Sequence, residues 1–315
     1  MAAEVALTYI GLRNAQARQA IARDNLASQL QTLQITVWRA QAGLLSELQV
    51  QQARTASAQT QAQLPALQTA IEQSAQALAV LTGQAPGALA ALVTTPAAVP
   101  RPDGDLALGL PADTVRQRAD VRAAEQQVRA ASGRVAQADA ARYPSFSLGG
   151  SLGLSALTLG GLGHAAAVAS TLLAGVSLPV WDGGAARAQV QAQRAALDQA
   201  RSAYRGAVLA ALKDVEGALV ALRDDRERHA RLQQAAEAAT AAATLSRHRF
   251  SAGLVDFQTV LDTERSQLAT QDSLASVQAE LSADQVRLYK ALGGGWTPDD
   301  PGAAVPLTPS GPVTR

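Results

Sequence analysis

The chain has no cysteine, so its 315 residues hold neither disulfides nor thiolate metal sites. Aromatic residues make up only 3%, and much of the 48% hydrophobic content is alanine. A core of bulky side chains is therefore not the organising feature. Alanine- and glutamine-rich sequence suits long helices packed at close range. A formal net charge of +1 gives no support to electrostatic capture of nucleic acid. His164, His229 and His248 form no ligand spacing, and no grouping of nucleophile, base or metal ligands marks an enzyme or a cofactor site. Met1 is followed by Ala2-Ala3-Glu4-Val5 in helical register, without a basic leader, apolar core or cleavage site. That start fits a cytoplasmic protein, or a chain that begins inside a larger gene product.

The most informative feature present is a duplication. Gly43 and Gly83 stand as far apart as Gly253 and Gly293, and each lies 210 positions before its counterpart. At that offset Leu12-Arg13 meets Leu222-Arg223, Arg39 meets Arg249, Ala42-Gly43-Leu44 meets Ala252-Gly253-Leu254, and Val50 meets Val260. Each unit reads as a long helix, a tight turn and a returning helix, which points to a rod or tube built by repetition. The counterpart of the segment that opens near Ala185 would fall before Met1, so the first repeat is expected to be incomplete at its N-terminus.

Ala2–Gln41 reads as a helix whose face carries Val5, Tyr9, Leu12, Ala15, Ala22, Leu26, Leu30, Leu33 and Val37. Ser46 is the expected N-cap of a return helix that runs to about Thr82, with a kink at Pro65. Residues 1–83 thus form a first helical hairpin. Residues 84–142 read as a connector and helix: Pro86, Pro96, Pro100, Pro102 and Pro111 break the first part, and Asp113 or Thr114 opens a helix to about Ala141. Residues 183–293 form the second hairpin, with a proline-free helix from Ala185 to Ala252 and a return from Asp256 to Leu292. At about 1.5 Å per residue the first of these spans roughly 100 Å, far beyond the ~30 Å of a bilayer core. A Pro/Gly-rich tail, 294–315, is expected to be disordered.

Between the hairpins, in residues 143–182, the period changes to two. Phe146, Leu148, Leu152 and Leu154 share one face of a strand over 145–154, with Ser145, Ser147, Gly149, Ser151 and Gly153 on the other. Over 170–178, Leu172, Ala174, Val176 and Leu178 oppose Thr171, Gly175 and Ser177. Strands of this length, apolar outside and small-polar inside, predict a transmembrane β-hairpin joined by a loop at 155–169. The competing reading is a transmembrane helix over Leu157–Val180. Its glycines, the alternation and Pro179 argue against it.

The order of these elements, and the motifs spread along them, resemble the TolC-type outer-membrane efflux proteins, in the NodT/OprM-like branch of channel lipoproteins. The motifs are Ala119-Asp120-Val121-Arg122-Ala123-Ala124-Glu125, Ala141-Arg142-Tyr143-Pro144-Ser145, and Leu178-Pro179-Val180-Trp181-Asp182-Gly183-Gly184. They continue with Tyr204-Arg205, Asp214-Val215-Glu216, Phe250-Ser251-Ala252-Gly253-Leu254, Val260-Leu261-Asp262 and Leu288-Tyr289-Lys290-Ala291-Leu292-Gly293-Gly294-Gly295-Trp296. The resemblance implies a mainly helical fold with a transmembrane β-hairpin. It implies a homotrimer in which each protomer adds strands to a shared outer-membrane β-barrel and helices to a periplasmic tunnel. The implied partners are outer-membrane lipid, a periplasmic adaptor (membrane fusion) protein and an inner-membrane RND-type pump, and the implied function is a passive exit duct for drugs, metals or other small molecules. Relative to that pattern the chain is expected to be N-terminally truncated, without the signal, the lipobox, the first helices and the first strand pair.

Two groups of residues then become candidates. Gly43, Leu44 and Ser46, with Gly253 and Leu254, would form periplasmic tips, each with an exposed leucine as a docking knob for the adaptor; the alternative is a pair of ordinary turns. Asp262 falls where the family places an acidic ring at the tunnel aperture, with Arg265 one turn along and Asp256 a weaker candidate that also suits an N-cap. The alternative for Asp262 is a solvated helix face. Asp182-Gly183-Gly184 lacks the lysine of a phosphate loop and reads as a strand-to-helix turn. Arg122 and Glu125 read as a surface pair. A periplasmic coiled-coil adaptor or scaffold is the rival function, and the alternating strands decide against it.

Overall fold

The computed structural model describes residues 1–100, 118–154, 168–178 and 180–294. Residues 155–167 of the expected 155–169 loop, the helix start at Asp113 or Thr114, Pro179 and the tail from 295 onward lie outside them, while 168–169 of that loop belong to a strand. Two compact units are present, Met1–Thr114 with Leu212–Arg315, and Val115–Ala211.

The first unit is helical. Helix α1 (Ala2–Gln41) is followed by α2 (Glu47–Leu81) and a short α3 (Ala90–Thr94). Alanine-rich sequence without internal proline carries α1 through 40 residues. Pro65 lies inside α2, so the expected kink did not divide the helix. Proline removes the N–H that the carbonyl of Gln61 would accept, but both residues are exposed, so water can take that role. Helix α1 packs along α2 on one side and along the last helix of the chain on the other. At its N-terminal end Leu12 meets Ala75 and Leu78 beneath Leu89, Leu92 and Val93. The buried Arg13 donates to the Thr95 carbonyl at 2.7 Å, and Gln16 to that of Leu92 at 2.8 Å. Together they satisfy the carbonyl end of α3.

The second unit holds α4 (Ala119–Ala140) and strands β1 (Ser145–Leu154) and β2 (Val168–Ser177). The strands pair antiparallel, with Phe146 opposite Val176, Leu148 opposite Ala174 and Ser147 opposite Gly175. This register rules out the helix considered across 157–180, since 168–177 is strand. Within the described residues α4 opens at Ala119, with Arg118 as N-cap paired to Asp120 at 2.8 Å. Glu125 bonds Arg129, one turn on, at 2.7 Å. The i,i+4 spacing brings the two side chains over one another.

Helix α5 (Ala185–Ser251) is one continuous element of 67 residues, contributing to the second unit up to Ala211 and to the first from Leu212. Helix α6 (Phe257–Ala291) returns along it in the first unit, where Val215, Ala218 and Leu222 pack against Leu288 and Ala291. None of the described helices is long and apolar enough to cross a membrane.

Candidate functional site

Both hairpins end in the same turn, bond for bond. Leu44 N–H reaches the Arg39 carbonyl at 2.8 Å and Gly43 N–H that of Ala40 at 3.0 Å. In the second hairpin Leu254 N–H reaches Arg249 at 2.8 Å and Gly253 N–H reaches Phe250 at 2.9 Å. This is a Schellman end, in which the residue after the cap must be left-handed; Gly43 and Gly253 have φ of 73° and 76°. The turn lifts the next side chain out of the helix pair, leaving Leu44 73% and Leu254 74% exposed. Ser46 and Asp256, again 210 positions apart, are the N-caps of the return helices. The Ser46 N–H bonds Gln49 Oε1 at 2.9 Å, while the Asp256 carboxylate accepts from Thr259 N–H at 2.9 Å and from its hydroxyl. The Thr259 hydroxyl, then its N–H, hold the Asp256 carboxyl below the ordinary range. Asp256 therefore serves as a cap in this chain.

The two tips are fastened together. Phe250 and Phe257 are buried 6.0 Å apart, in a cluster with Ala53, Ala56, Val260 and Leu261. The Arg39 guanidinium lies 4.6 Å over the Phe250 ring and donates to the Ser251 carbonyl at 2.9 Å. Asp262 and Arg265 follow on α6, both exposed. Within the chain Asp262 accepts from Gln258 at 3.0 Å, and Arg265 lines a groove of about 310 Å³ with Gln29, Gln59 and Gln63.

Behind this exposed face runs a polar seam that sequence reading missed. In the N-terminal half of α1 the expected Leu12, Ala15 and Ala22 are buried. Further on, the buried residues are Asn25, Gln29, Thr32 and Thr36, each one position before the expected Leu26, Leu30, Leu33 and Val37. Leu30 is instead 49% exposed. Asn25 donates to Gln271, and Arg18 pairs with Asp272 at 2.6 Å. Thr32 donates at 2.7 Å to Glu264, which is 4% exposed. The Arg247 guanidinium stands 3.8 Å from the same carboxylate, and its Nη1 has no hydrogen-bond partner. Burial holds the Glu264 carboxyl above the ordinary range, against the opposing pull of Thr32 and Arg247. The signal was present as a polar stripe in steps of three and four, but the leucines beside it were read in its place.

In the second unit, the face of the hairpin that carries Phe146, Leu148, Leu152, Leu172 and Val176 is exposed, and Leu178 just beyond β2 is 53% exposed. Leu154 stands opposite Val168 in the register. Across the sheet lie Ser145, Ser147, Gly149, Thr171 and Gly175, together with Leu173, an exposed leucine on the small-residue face that the pattern had not placed. At the open end, Asp182 accepts from Gly184 N–H at 2.9 Å and Ala186 N–H at 2.8 Å, starting α5. These bonds, Ala186 first, lower the Asp182 carboxyl, and the segment is a turn as expected.

Residues 110–294 match the model of the outer membrane efflux protein family. The chain is 35% identical over 302 residues to the pyoverdine export outer membrane protein OpmQ of Pseudomonas putida, covering 94% of this chain and 62% of that one. It is 31% identical to nodulation protein T of Rhizobium leguminosarum bv. viciae, covering 92% and 60%. Its fold superposes on the outer-membrane channel OprN with a TM-score of 0.85 at 35% identity, over 93% of this chain and 66% of that one. The chain thus spans less than two thirds of the length of these relatives. With its family model matched over more than half its length, the chain belongs to the outer membrane efflux protein family.

Proposed function

We propose that this chain forms part of the outer-membrane duct of a tripartite efflux assembly, passing small molecules from an inner-membrane RND-type pump out of the cell. Three copies would join their hairpins in one barrel and their helices in one periplasmic tunnel, with an adaptor gripping the tips. The observation that carries the reading is the union, in one chain, of an exposed apolar β-face with paired helical tips that each present a leucine. An apolar sheet face of ten-residue strands suits lipid, and a small-polar opposite face suits a watery lumen. A periplasmic adaptor or scaffold would have no use for that face. Relatives bear names such as solvent efflux pump and toluene efflux pump outer membrane protein, which supports export of small molecules here without fixing the cargo. Asp262, exposed on α6 above the tip, is placed in this reading at the aperture, where copies around an axis would concentrate negative potential.

The test is adaptor capture and efflux. Leu44→Asp with Leu254→Asp should abolish co-purification with the adaptor and restore drug sensitivity, while the fold, followed by circular dichroism, is retained. Undiminished capture and efflux by the double variant would sink the docking assignment.

A further inference from the structure

A second buried carboxylate lies far from the tips, within the second hairpin. Asp284 of α6 is 2% exposed, yet its two oxygens are unequally served. Oδ1 accepts from Arg287 Nη1 at 2.6 Å, whereas Oδ2 is buried with no donor. The Asp225 carboxylate of α5 lies within hydrogen-bond reach of Asp284, so two groups of acceptors face each other. Arg228, also of α5, stands 3.6 Å from Asp225 and 2.8 Å from Glu280 of α6. Three carboxylates are thus set against two guanidinium groups, and one added proton makes the cluster neutral. The same proton supplies the missing donor. Leu222 and Leu288, one turn before Asp225 and one turn beyond Asp284, are buried in one apolar cluster, so water is a poor substitute. Burial first, and then Asp225 beside it, hold the Asp284 carboxyl above the ordinary range against the pull of Arg287. The first hairpin has no such group. At the offset of 210, Asp225, Glu280, Asp284 and Arg287 correspond to Ala15, Ala70, Ser74 and Ala77. Helices α1 and α2 pack there without charge at these positions, so the hairpin itself does not demand the carboxylates.

We propose that Asp225 and Asp284 share one proton and with it clasp α5 to α6 at the root of the second hairpin, a clasp closed while the proton is held and released when it leaves. The site is roughly 40 Å from the turn at Gly253, at about 1.5 Å per residue, so it acts on the end of α6 and not on the tips. It stands on this contact alone and goes beyond the duct reading. Other charged groups on the surrounding helices are turned elsewhere. Arg13 of α1 lies over Tyr9 and donates to the Thr95 carbonyl. Glu4 of α1, Arg223, Asp224, Arg226 and Glu227 of α5, and Lys290 of α6 are exposed. With the proton in place, a carboxyl–carboxylate bond joins the two helices. Without it, they carry like charges in a dry contact.

The test reads proton binding and local opening in the detergent-purified protein. In infrared spectra of the parent minus Asp284→Asn, the carbonyl band of a protonated carboxyl should persist above the ordinary carboxylate range. Glu264, whose carboxyl is also raised, cancels in that difference. Hydrogen exchange of 281–291, corrected for its intrinsic rate, should quicken as pH climbs from the ordinary range to the folded value, by up to about tenfold per pH unit. Above that value it should level off. The counterpart segment 71–81 of α2 should show no such step, and Asp284→Asn should abolish it in 281–291. Asp225→Asn brings an amide donor and removes a charge, so it should move the transition to lower pH. Arg287→Gln removes a group that favours the charged form and should move it to higher pH. Absence of the difference band, exchange of 281–291 that is flat with pH, or a step that Asp284→Asn keeps, each overturns the clasp. Should Asp284→Asn not fold, a transition unmoved by both flanking variants overturns it equally. Neither adaptor nor channel enters these readouts, so failure of the clasp and failure of the duct reading are told apart.

Discussion

The two helical hairpins share their turns and differ in almost everything the turns hold. At an offset of 210 positions the glycine, the exposed leucine and the N-cap all recur, with hydrogen bonds of nearly equal length. Yet Phe257 stands where the first hairpin has Glu47, Asp262 where it has Gln52, and Glu264 where it has Arg54. On α1 the buried Asn25, Gln29 and Thr32 face counterparts Ala235, Ala239 and Ala242 in α5. A backbone reversal tolerates few solutions, so duplication preserved it. Side chains facing a neighbour are freer to diverge, and the acidic groups have gathered in one hairpin. Pseudo-symmetry here belongs to the frame, and chemistry to one half of it.

The largest expected break in that equivalence is at the tip core. Phe257→Ala should destabilise the chain by about 3–5 kcal/mol through the cavity it leaves, whereas Glu47→Ala should stay within about 0.5 kcal/mol. Urea titration of the two variants measures the contrast. Gly43→Val and Gly253→Val should instead cost alike, about 1–3 kcal/mol each, because both force a side chain into left-handed backbone. Costs that differ widely between the two would mean that the turns are equivalent in geometry and not in load.

Titration sharpens the comparison further, since Ser46 carries no charge where Asp256 does. The Asp256 carboxyl is depressed, so its contribution is present above the ordinary carboxylate range and lost as pH falls through the folded-state value. Glu264 has the opposite sign. Its cost is absent below the unfolded-state value and grows as pH rises through the raised folded one. Thermal melts across pH should therefore show Glu264→Gln gaining on the parent toward neutral pH, with Ser46→Ala giving a pH-independent loss. The smallest effect on stability belongs to Asp262→Ala, within about 0.5 kcal/mol for an exposed site. Its expected consequence is in single-channel recording of the assembled duct at low salt, as higher conductance and weaker cation selectivity, with Gln52→Ala unchanged.

The frame was legible in the sequence because its signals are local. Ala-Gly-Leu turns, caps at Ser46 and Asp256, the alternation of 145–154 and the absence of proline from Ala185 to Ala252 each constrain the backbone directly. The observed α1, α5 and β1 follow those signals to within a residue or two. What escaped was the choice of face. Leu26 and Asn25 are neighbours in sequence but about 100° apart around a helix, and hydrophobicity alone favoured the leucine. Thr32 and Glu264 meet across 232 positions, and no local pattern announces such a pair. Glu125 also pairs with Arg129, one turn on, a partner that the i,i+3 reading with Arg122 did not name.

The amide and hydroxyl stripe of α1 also bears on how these helices can move mechanically. A seam of leucines is nearly indifferent to sliding, since one greasy contact replaces another. Asn25 on Gln271, Arg18 on Asp272 and Thr32 on Glu264 are matched pairs at fixed heights. An axial slip by one turn, about 5.4 Å, would strand all three at once, at roughly 1–3 kcal/mol for each of the buried Asn25, Thr32 and Glu264 and about 1 kcal/mol or less for the half-exposed Arg18–Asp272 pair. The stripe thus works as a row of detents: α1 and α6 resist shear along their length, and the compliant motions left to them are tilt and twist about contacts that stay in register.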